Sequence, residues 1–234
     1  VGSSSKSSYY FDGLIDLSGN IIGLAQGADY KNNPKEIFGV TFAQYIKIQP
    51  DFRYYFHLSN SAIIASRILV GVGFPYGNSS QLPNIKQFWA GGNSDLRGFP
   101  SRLVGPGTFS EYNDPAFKTN SFVQTLGDLK MEINTELRQN IYKFINLGVF
   151  AEAGNIWLYR KNPSLPGGEF TADFYKQLAA DVGFGLRFDF KILLLRLDFG
   201  FPVLKPWLSS ANSRALNSNT LKDMVLNLAI GYPF

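Results

Sequence analysis

The feature that most constrains this 234-residue chain is a two-residue alternation of apolar and polar side chains, repeated in eight stretches. In Leu129–Gln139 the apolar residues, including Met131 and Ile133, fall on one face, and the charged and amide residues fall on the other. A helix would spread these charges around its axis, whereas a strand separates the two sets. The alternation predicts about eight β-strands, in Phe11–Ser18, Phe38–Arg53, Ile64–Phe74, Leu129–Gln139, Ile145–Glu152, Asp181–Phe190, Leu193–Phe199 and Asp223–Phe234.

Strand length and composition favour a membrane barrel over a soluble sandwich. The stretches are roughly 10 residues long, close to the 9–11 with which a β-strand crosses a bilayer. Only 17% of the residues are charged, whereas 15% are aromatic. A soluble sandwich would carry more Lys and Glu on its solvent face. The predicted fold class is therefore all-β, a transmembrane antiparallel β-barrel.

The links between the predicted strands alternate between long and short. The long links are about 26–37, 75–124, 155–175 and 202–222, and the short ones lie near 58–61, 140–144 and 190–191. Outer-membrane barrels have long extracellular loops and short periplasmic turns. The alternation therefore indicates the bacterial outer membrane, with both termini of this segment at the periplasmic side.

The last predicted strand gives a third signal. The chain ends LNLAIGYPF, with Leu228, Ile230, Tyr232 and Phe234 at every second position. An alternating apolar strand with a terminal aromatic is characteristic of bacterial outer-membrane barrels. We interpret Tyr232 and Phe234 as a C-terminal barrel signal, although a hydrophobic strand could end any protein.

Composition excludes several kinds of chemistry. The chain has no Cys and a single His, His57, so thiolate sites are excluded and a His-based triad is not expected. The carboxylates of Glu132 and Glu136 would lie about 13 Å apart along a strand, and a structural role suits them better than glycoside hydrolysis. We expect no enzyme activity, metal or cofactor. Lys and Arg are scattered despite the net charge of +4, so nucleic acid is not an expected partner.

The longest link contains the densest motif, FWAGGNSDLRGFPSRLVGPGTF, between Phe88 and Phe109. Gly91 and Gly92 permit a backbone path that other residues avoid. No GKS or GKT follows, so the motif is not a phosphate-binding loop.

This motif resembles the loop of the BamA/TamA superfamily of outer-membrane barrels, in which two glycines, a variable residue and Ser precede a hydrophobic residue and Arg-Gly-aromatic. The matching residues are Gly91, Gly92, Ser94, Arg97, Gly98 and Phe99. The LVGPG that follows and the later GNIW look most like the TamA-like barrel lipoproteins of Bacteroidetes. The resemblance covers most of the chain.

In that family the loop folds back into the barrel, and its Arg meets an acid in an aromatic-x-Asp-x-Gly motif. The matching stretch is Phe150–Gly154, in which Glu152 replaces the Asp. A later Gly-x-Gly-x-Arg pattern matches Arg187, and Asp189 follows on the same face. The resemblance implies that Glu152, Arg187 and Asp189 are the latch partners of Arg97.

Physical chemistry supports this pairing independently. An Arg enclosed in a lumen needs a partner, because breaking a buried ion pair typically costs about 3–5 kcal/mol. We therefore expect Arg97 and Glu152 to hold the long loop inside, the alternative being a solvated surface Arg. Other charged residues on the lumen faces are expected to form a hydrogen-bond network, namely Glu132, Glu136, Arg138, Asp181, Arg196 and Asp198.

The resemblance also implies how much of a barrel is present. The superfamily barrel has sixteen strands, and the motif loop joins the eleventh to the twelfth. Residues 1–234 would then form the C-terminal half, with a lumen loop at about 75–124. The start, VGSSSKSSYYF, has no Met, basic region or apolar leader, as in a processed product or a fragment. The first expected partner is the N-terminal half of the same barrel, in this chain or a separate one.

By resemblance, the expected function is outer-membrane protein assembly and insertion, or translocation, through a seam between the first and last strands. One alternative is a translocator for a secreted or fused passenger, of the two-partner-secretion or patatin-like type. A passive outer-membrane pore is another. The further expected partners are outer-membrane lipid and lipopolysaccharide, client outer-membrane proteins and other subunits of an assembly complex.

Overall fold

The computed structural model describes residues 6–109, 125–208 and 222–234, so parts of the predicted links 75–124 and 202–222 lie outside the described residues. The described strands are β1 Ser7–Ser18, β2 Glu36–Ile37, β3 Val40–Thr41, β4 Tyr45–Ser59, β5 Ala62–Pro75, β6 Leu129–Tyr142, β7 Ile145–Trp157, β8 Ala179–Asp189, β9 Leu194–Leu204 and β10 Val225–Ile230. The helix α1 spans Asn20–Ala25, and 3₁₀ helices lie at Asn84–Lys86 and Phe174–Gln177. Within these ranges no helix has the length and apolar character needed to cross a membrane.

Eight long strands form one antiparallel sheet in the order β1-β4-β5-β6-β7-β8-β9-β10. The short strands β2 and β3 pair only with each other in a separate hairpin. Strands that follow one another in the large sheet are therefore also neighbours in space. The prediction of an all-β antiparallel fold with about eight long strands is confirmed. Among the described strands the sheet is open, because β1 and β10 are its two edges.

The two-residue alternation separates the faces of the sheet. Apolar side chains such as Ile133, Val149 and Phe184 point outward and remain 38–48% exposed. Charged side chains such as Glu136 and Arg187 point inward and are buried. Apolar side chains therefore lie on one face of the sheet and charged side chains on the other, as a strand with one lipid-facing side requires.

The links also alternate as predicted. Two residues join β4 to β5 and β6 to β7, and four join β8 to β9, at 60–61, 143–144 and 190–193. The long links are 19–44, 76–128, 158–178 and 205–224. All long links thus lie at one end of the sheet and all short links at the other.

The start of the second predicted strand is wrong. The apolar alternation begins at Phe38, but β4 begins at Tyr45. Phe38 lies fully exposed at the tip of the β2–β3 hairpin, where Phe38 and Gly39 have φ values of 51° and 77°. Two successive residues with positive φ are typical of a tight hairpin turn, which interrupts a strand whatever its side-chain pattern.

The end of the last predicted strand is wrong as well. β10 stops at Ile230, and the chain turns at Gly231, whose φ is 83°. Phe234 is buried, whereas continued alternation would place it on the outer face with Ile230. The Arg138 guanidinium lies 4.3 Å from the Tyr232 ring and 5.2 Å from the Phe234 ring. These cation–π contacts hold the terminal segment against the inner face.

Candidate functional site

The long link between β5 and β6 lies across the inner face of the sheet. At one side, Lys86 Nζ lies 2.7 Å from Asp16 Oδ2 on β1. At the other side, Asn227 on β10 donates to the main-chain oxygen of Arg97 at 2.8 Å. Between them the link contributes to a buried apolar cluster, composed of Phe88, Ala90, Leu96, Phe99, Val104, Ile156 and Ala179. The link therefore supplies much of the core of the half-barrel.

The motif folds into a compact turn that presents Arg97. The N–H of Gly92 donates to the oxygens of Leu96 and Phe99 at 3.2 and 3.1 Å. Gly91 and Gly92 have φ values of 99° and 112°, which L side chains rarely adopt. A side chain at Gly91 would also collide with the oxygen of Pro100. The unusual backbone path predicted for the two glycines is therefore present.

Arg97 is fully buried and contacts three strands through its side chain. Its Nε donates to Glu152 Oε1 on β7 at 2.9 Å, and Nη2 lies 2.8 Å from the same oxygen. Its Nη1 donates to Glu136 on β6 at 2.8 Å and to Asp198 on β9 at 3.4 Å. The guanidinium carbon lies 3.5 Å from the centre of the Phe150 ring. The contact expected between Arg97 and Glu152 is thus present, and Arg97 is not a solvated surface residue.

Glu152 binds both the backbone and the side chain of Arg97. Its Oε2 accepts the main-chain N–H of Arg97 at 2.7 Å, while Oε1 faces the guanidinium. The pair therefore fixes the position of the loop backbone as well as its charge.

Arg97 belongs to a larger set of buried charges that we call the central cluster. Arg187 lies 3.0 Å from Glu136 and 2.7 Å from Asp198, so it shares two acids with Arg97. Arg196 lies 3.1 Å from Asp198. The central cluster consists of Arg97, Glu136, Arg138, Glu152, Asp181, Arg187, Arg196 and Asp198.

Two residues of the sequence prediction lie apart from Arg97. Asp189 lies at the end of β8, and its carboxylate accepts the N–H of Lys191 at 2.9 Å in the β8–β9 turn. The prediction that Asp189 is a latch partner is therefore wrong, because a shared strand face does not bring distant positions to one point. Ser94 is exposed, and its hydroxyl lies 3.3 Å from Asn93.

A second set of charged residues lies beside the central cluster, and we call it the flanking cluster. Among its members only Glu132 was predicted from the sequence. Arg67 lies 3.0 Å from Asp51 and 3.4 Å from Glu132. Lys130 lies 2.7 Å from Asp95 and 3.0 Å from Glu132. The flanking cluster consists of Asp51, Arg53, Arg67, Asp95, Lys130 and Glu132. Most of these residues belong to the polar side of the alternation, which was the available signal.

The loop approaches the sheet so closely that glycine is required on both sides. A side chain at Gly200 on β9 would collide with the main-chain oxygen of Arg97. A side chain at Gly98 would collide with Asp181 on β8. Gly98 was predicted from the motif, whereas Gly200 and the Asn227 contact were not.

The electrostatics of the site favour a permanent charge on Arg97. Burial by itself would lower the pKa of the guanidinium, but the charges of Glu152 and Glu136 outweigh it and raise the pKa. In the part of the chain that the structure describes, no three His, Asp or Glu side chains are grouped to hold a metal ion. The arrangement can therefore hold a segment in place through ion pairs and hydrogen bonds.

An open antiparallel sheet with an apolar outer face, and a charged inner face covered by its longest link, defines the class of outer-membrane β-barrel proteins. A family model described as the Omp85 superfamily domain matches residues 31–217. The chain belongs to the Omp85 superfamily, and the family resemblance predicted from the loop motif is confirmed. The similarity to Bacteroidetes lipoproteins stays a prediction.

The chain is also similar to individual proteins, in sequence or in fold. The outer membrane protein assembly factor BamA of Neisseria meningitidis serogroup B is 25% identical over 119 residues, which cover 49% of this chain and 14% of that protein. The chain is also similar to the crystal structure of BamA from Haemophilus ducreyi lacking POTRA domains 1–3, with a TM-score of 0.56 and 16% identity over 97% of this chain and 52% of the other. CdiB from Acinetobacter baumannii has a TM-score of 0.46 and 17% identity, over 80% of this chain and 27% of that one. The chain thus spans about half the length of the first structural relative.

Proposed function

We propose that this chain is the second half of a 16-stranded outer-membrane barrel that assembles and inserts other outer-membrane proteins. The observation that carries the proposal is the burial of Arg97 among acids from three strands, at the tip of the family's loop motif. The sequence relative from Neisseria meningitidis is described as an outer membrane protein assembly factor, which supports an assembly role.

The two edge strands of the sheet, β1 and β10, are each expected to pair with a further strand. In lipid, unpaired N–H and C=O groups of an edge strand carry a large cost. On β1 both faces are exposed, including Tyr10 and Leu14 at 49% and 48%. The N-terminal half of the same barrel, in this chain or a separate one, would cover β1 and complete the lumen. The outer face would contact outer-membrane lipid and lipopolysaccharide.

The proposed seam lies at β10. This strand pairs with β9 over only six residues, whereas the other neighbouring pairs in the sheet extend over ten or more. Fewer ladder hydrogen bonds make β10 the easiest strand to displace. A client strand could then pair with an exposed edge while the loop remains attached to the sheet. In this arrangement the energy comes from strand pairing and not from catalysis.

The orientation follows from the link lengths. With the long links outside the cell, both termini of this segment lie at the periplasmic side. Other subunits of an assembly complex would then approach from the periplasm.

Depletion of the full-length protein tests the assembly function. We expect the amounts of several unrelated outer-membrane barrels to fall, and a copy carrying Arg97→Ala to restore them less well than the matched variant Arg53→Ala. Unchanged amounts of all other barrels would contradict the proposal. The loss of a single secreted passenger with normal barrel levels would favour the translocator alternative.

Conductance in planar bilayers tests the passive-pore alternative. With the loop covering the inner face, we expect low conductance that rises in Arg97→Ala. A wide, steady conductance that is the same in both proteins would favour a pore and contradict the holding role of Arg97.

A further inference from the structure

The link after β1 contains α1, a short helix with an exposed apolar side. The residues around α1 indicate where it would lie relative to the membrane surface. Residues 19–28 carry no charged side chain. In α1, Ile21 and Leu24 are 85% and 68% exposed, and Ala25 is exposed as well. At about 100° per residue, these positions cluster on the side of the helix opposite Gly23. The helix therefore directs a compact apolar surface away from the protein.

The opposite side of α1 is fixed to the barrel. Gly23 is buried, and a side chain there would collide with Gln44. Gln44 is itself buried, and its Oε1 accepts the N–H of Asn78 at 2.8 Å. The helix thus rests on a packed, hydrogen-bonded support. Its apolar side is held outward by structure, which would be unfavourable if that side faced only water.

The depth of α1 is given by neighbouring aromatic residues. The side-chain amide of Asn20 lies 2.7 Å from the Tyr76 hydroxyl. The Tyr76 ring stacks 5.9 Å from Phe74, and Phe74 in turn meets Tyr159 at 5.1 Å. In membrane proteins, such aromatic groups lie at the boundary between the hydrocarbon and the head groups. With the chain in the outer membrane, these contacts would put the first residue of α1 at that boundary.

The apolar surface of α1 follows the exposed apolar face of β1 closely along the chain. Leu17 on β1 is 60% exposed and lies opposite Ile46, which in turn lies opposite Phe74. Only three residues separate Leu17 from Ile21. We propose that α1 is an interfacial anchor that inserts Ile21 and Leu24 into the lipid leaflet at the long-link end of the barrel. The inference rests on the outer-membrane placement of the chain.

A labelling experiment can measure this insertion, because the chain contains no Cys. The full-length protein, with any Cys outside residues 1–234 replaced by Ser, would be reconstituted in dioleoylphosphatidylcholine vesicles and carry a nitrobenzoxadiazole label at Ile21→Cys. Matched labels are placed at Ile15→Cys, on the outer face of β1, and at Lys31→Cys, an exposed polar position in the same link. Phosphatidylcholine with a nitroxide at acyl carbon 5 serves as the quencher, and iodide probes exposure to water.

We expect the lipid nitroxide to quench the label at Ile21 several-fold more than the label at Lys31, and iodide to show the opposite order. Quenching at Ile21 no greater than at Lys31 would overturn the inference. Protection of Ile21 from both quenchers would also overturn it, because a protein and not lipid would then cover α1. If Ile15 itself is not quenched by lipid, the membrane placement fails instead, so the two failures are distinguishable.

A charge variant gives a second readout. Leu24→Glu places a carboxylate on the exposed apolar side, and we expect it to reduce lipid quenching at Ile21 to near the Lys31 value. Gln26→Glu is the matched control, because it adds the same charge near the Gly23 side of the helix. Equal quenching in the two variants would contradict insertion through Leu24.

Discussion

The central and flanking clusters both lie on the inner face of one sheet, but they attach the loop in different ways. In the central cluster the loop contributes Arg97, whose side chain meets acids from three strands. In the flanking cluster the loop contributes Asp95, whose carboxylate lies 2.7 Å from Lys130 on β6. The side chains of Arg97, Glu136 and Glu152 are fully buried, whereas Arg53 is 25% exposed. Both loop charges are buried, so the comparison predicts that the loop is held most firmly where its charge is shared by acids from several strands.

The largest effect is expected for Arg97→Ala. Removing this side chain leaves Glu152 buried without its cationic partner and Glu136 with one partner fewer, which costs about 3–5 kcal/mol. The free energy of unfolding in urea, measured in phospholipid vesicles, should fall by that amount, and the loop should become sensitive to protease. Arg67→Ala, in the flanking cluster, is the matched comparison and should cost less. Equal costs in the two variants would remove the distinction between the clusters.

A steric change should loosen the central cluster without altering a charge. Gly200→Ala places a methyl group against the main-chain oxygen of Arg97. Overpacking of this kind costs about 1–3 kcal/mol. We expect a corresponding fall in the free energy of unfolding and faster proteolysis of the loop. The control variant is Ala229→Gly, on the inner side of β10. Gly231→Ala is not suitable as a control, because the φ of 83° at Gly231 would add backbone strain.

The contact between the loop and the last strand should have a smaller effect. Asn227→Ala removes the hydrogen bond to the main-chain oxygen of Arg97 and should cost about 1 kcal/mol. Its clearer signature should be local, as faster amide hydrogen exchange in β10 than in β6. Uniform exchange across both strands would show that Asn227 does not couple the loop to β10.

The smallest effect is expected at the exposed side of the flanking cluster. Arg53→Ala removes a partly exposed partner of Asp51, and pairs of this kind contribute about 0–1 kcal/mol. The melting midpoint in detergent should change little, and high salt should reduce the difference further. A loss as large as that of Arg97→Ala would show that exposure does not separate the two clusters.

The alternation of the sequence was sufficient for the sheet, because strand faces depend on local periodicity. The alternation predicted the Arg97–Glu152 contact only together with the loop motif, which identified Arg97 as the residue that meets an acid. It failed at Phe38 and at Phe234, because the pattern carries no information on the positive φ values at Phe38, Gly39 and Gly231. The flanking cluster was not predicted, because its ion pairs depend on which inward-pointing charges face each other on neighbouring strands. That information comes from the strand register, which the alternation does not give.

The contacts of Arg97 have a consequence for the shape of the sheet. They join β6, β7, β9 and β10, so a single residue ties strands that are separated by up to three others. In an unbraced sheet, small changes of twist between neighbours accumulate over many strands. Contacts of this kind on the inner face limit how far the strands they join can move apart. The bore of the half-barrel would then be set by the loop, and a barrel could open at one strand edge without losing its curvature elsewhere.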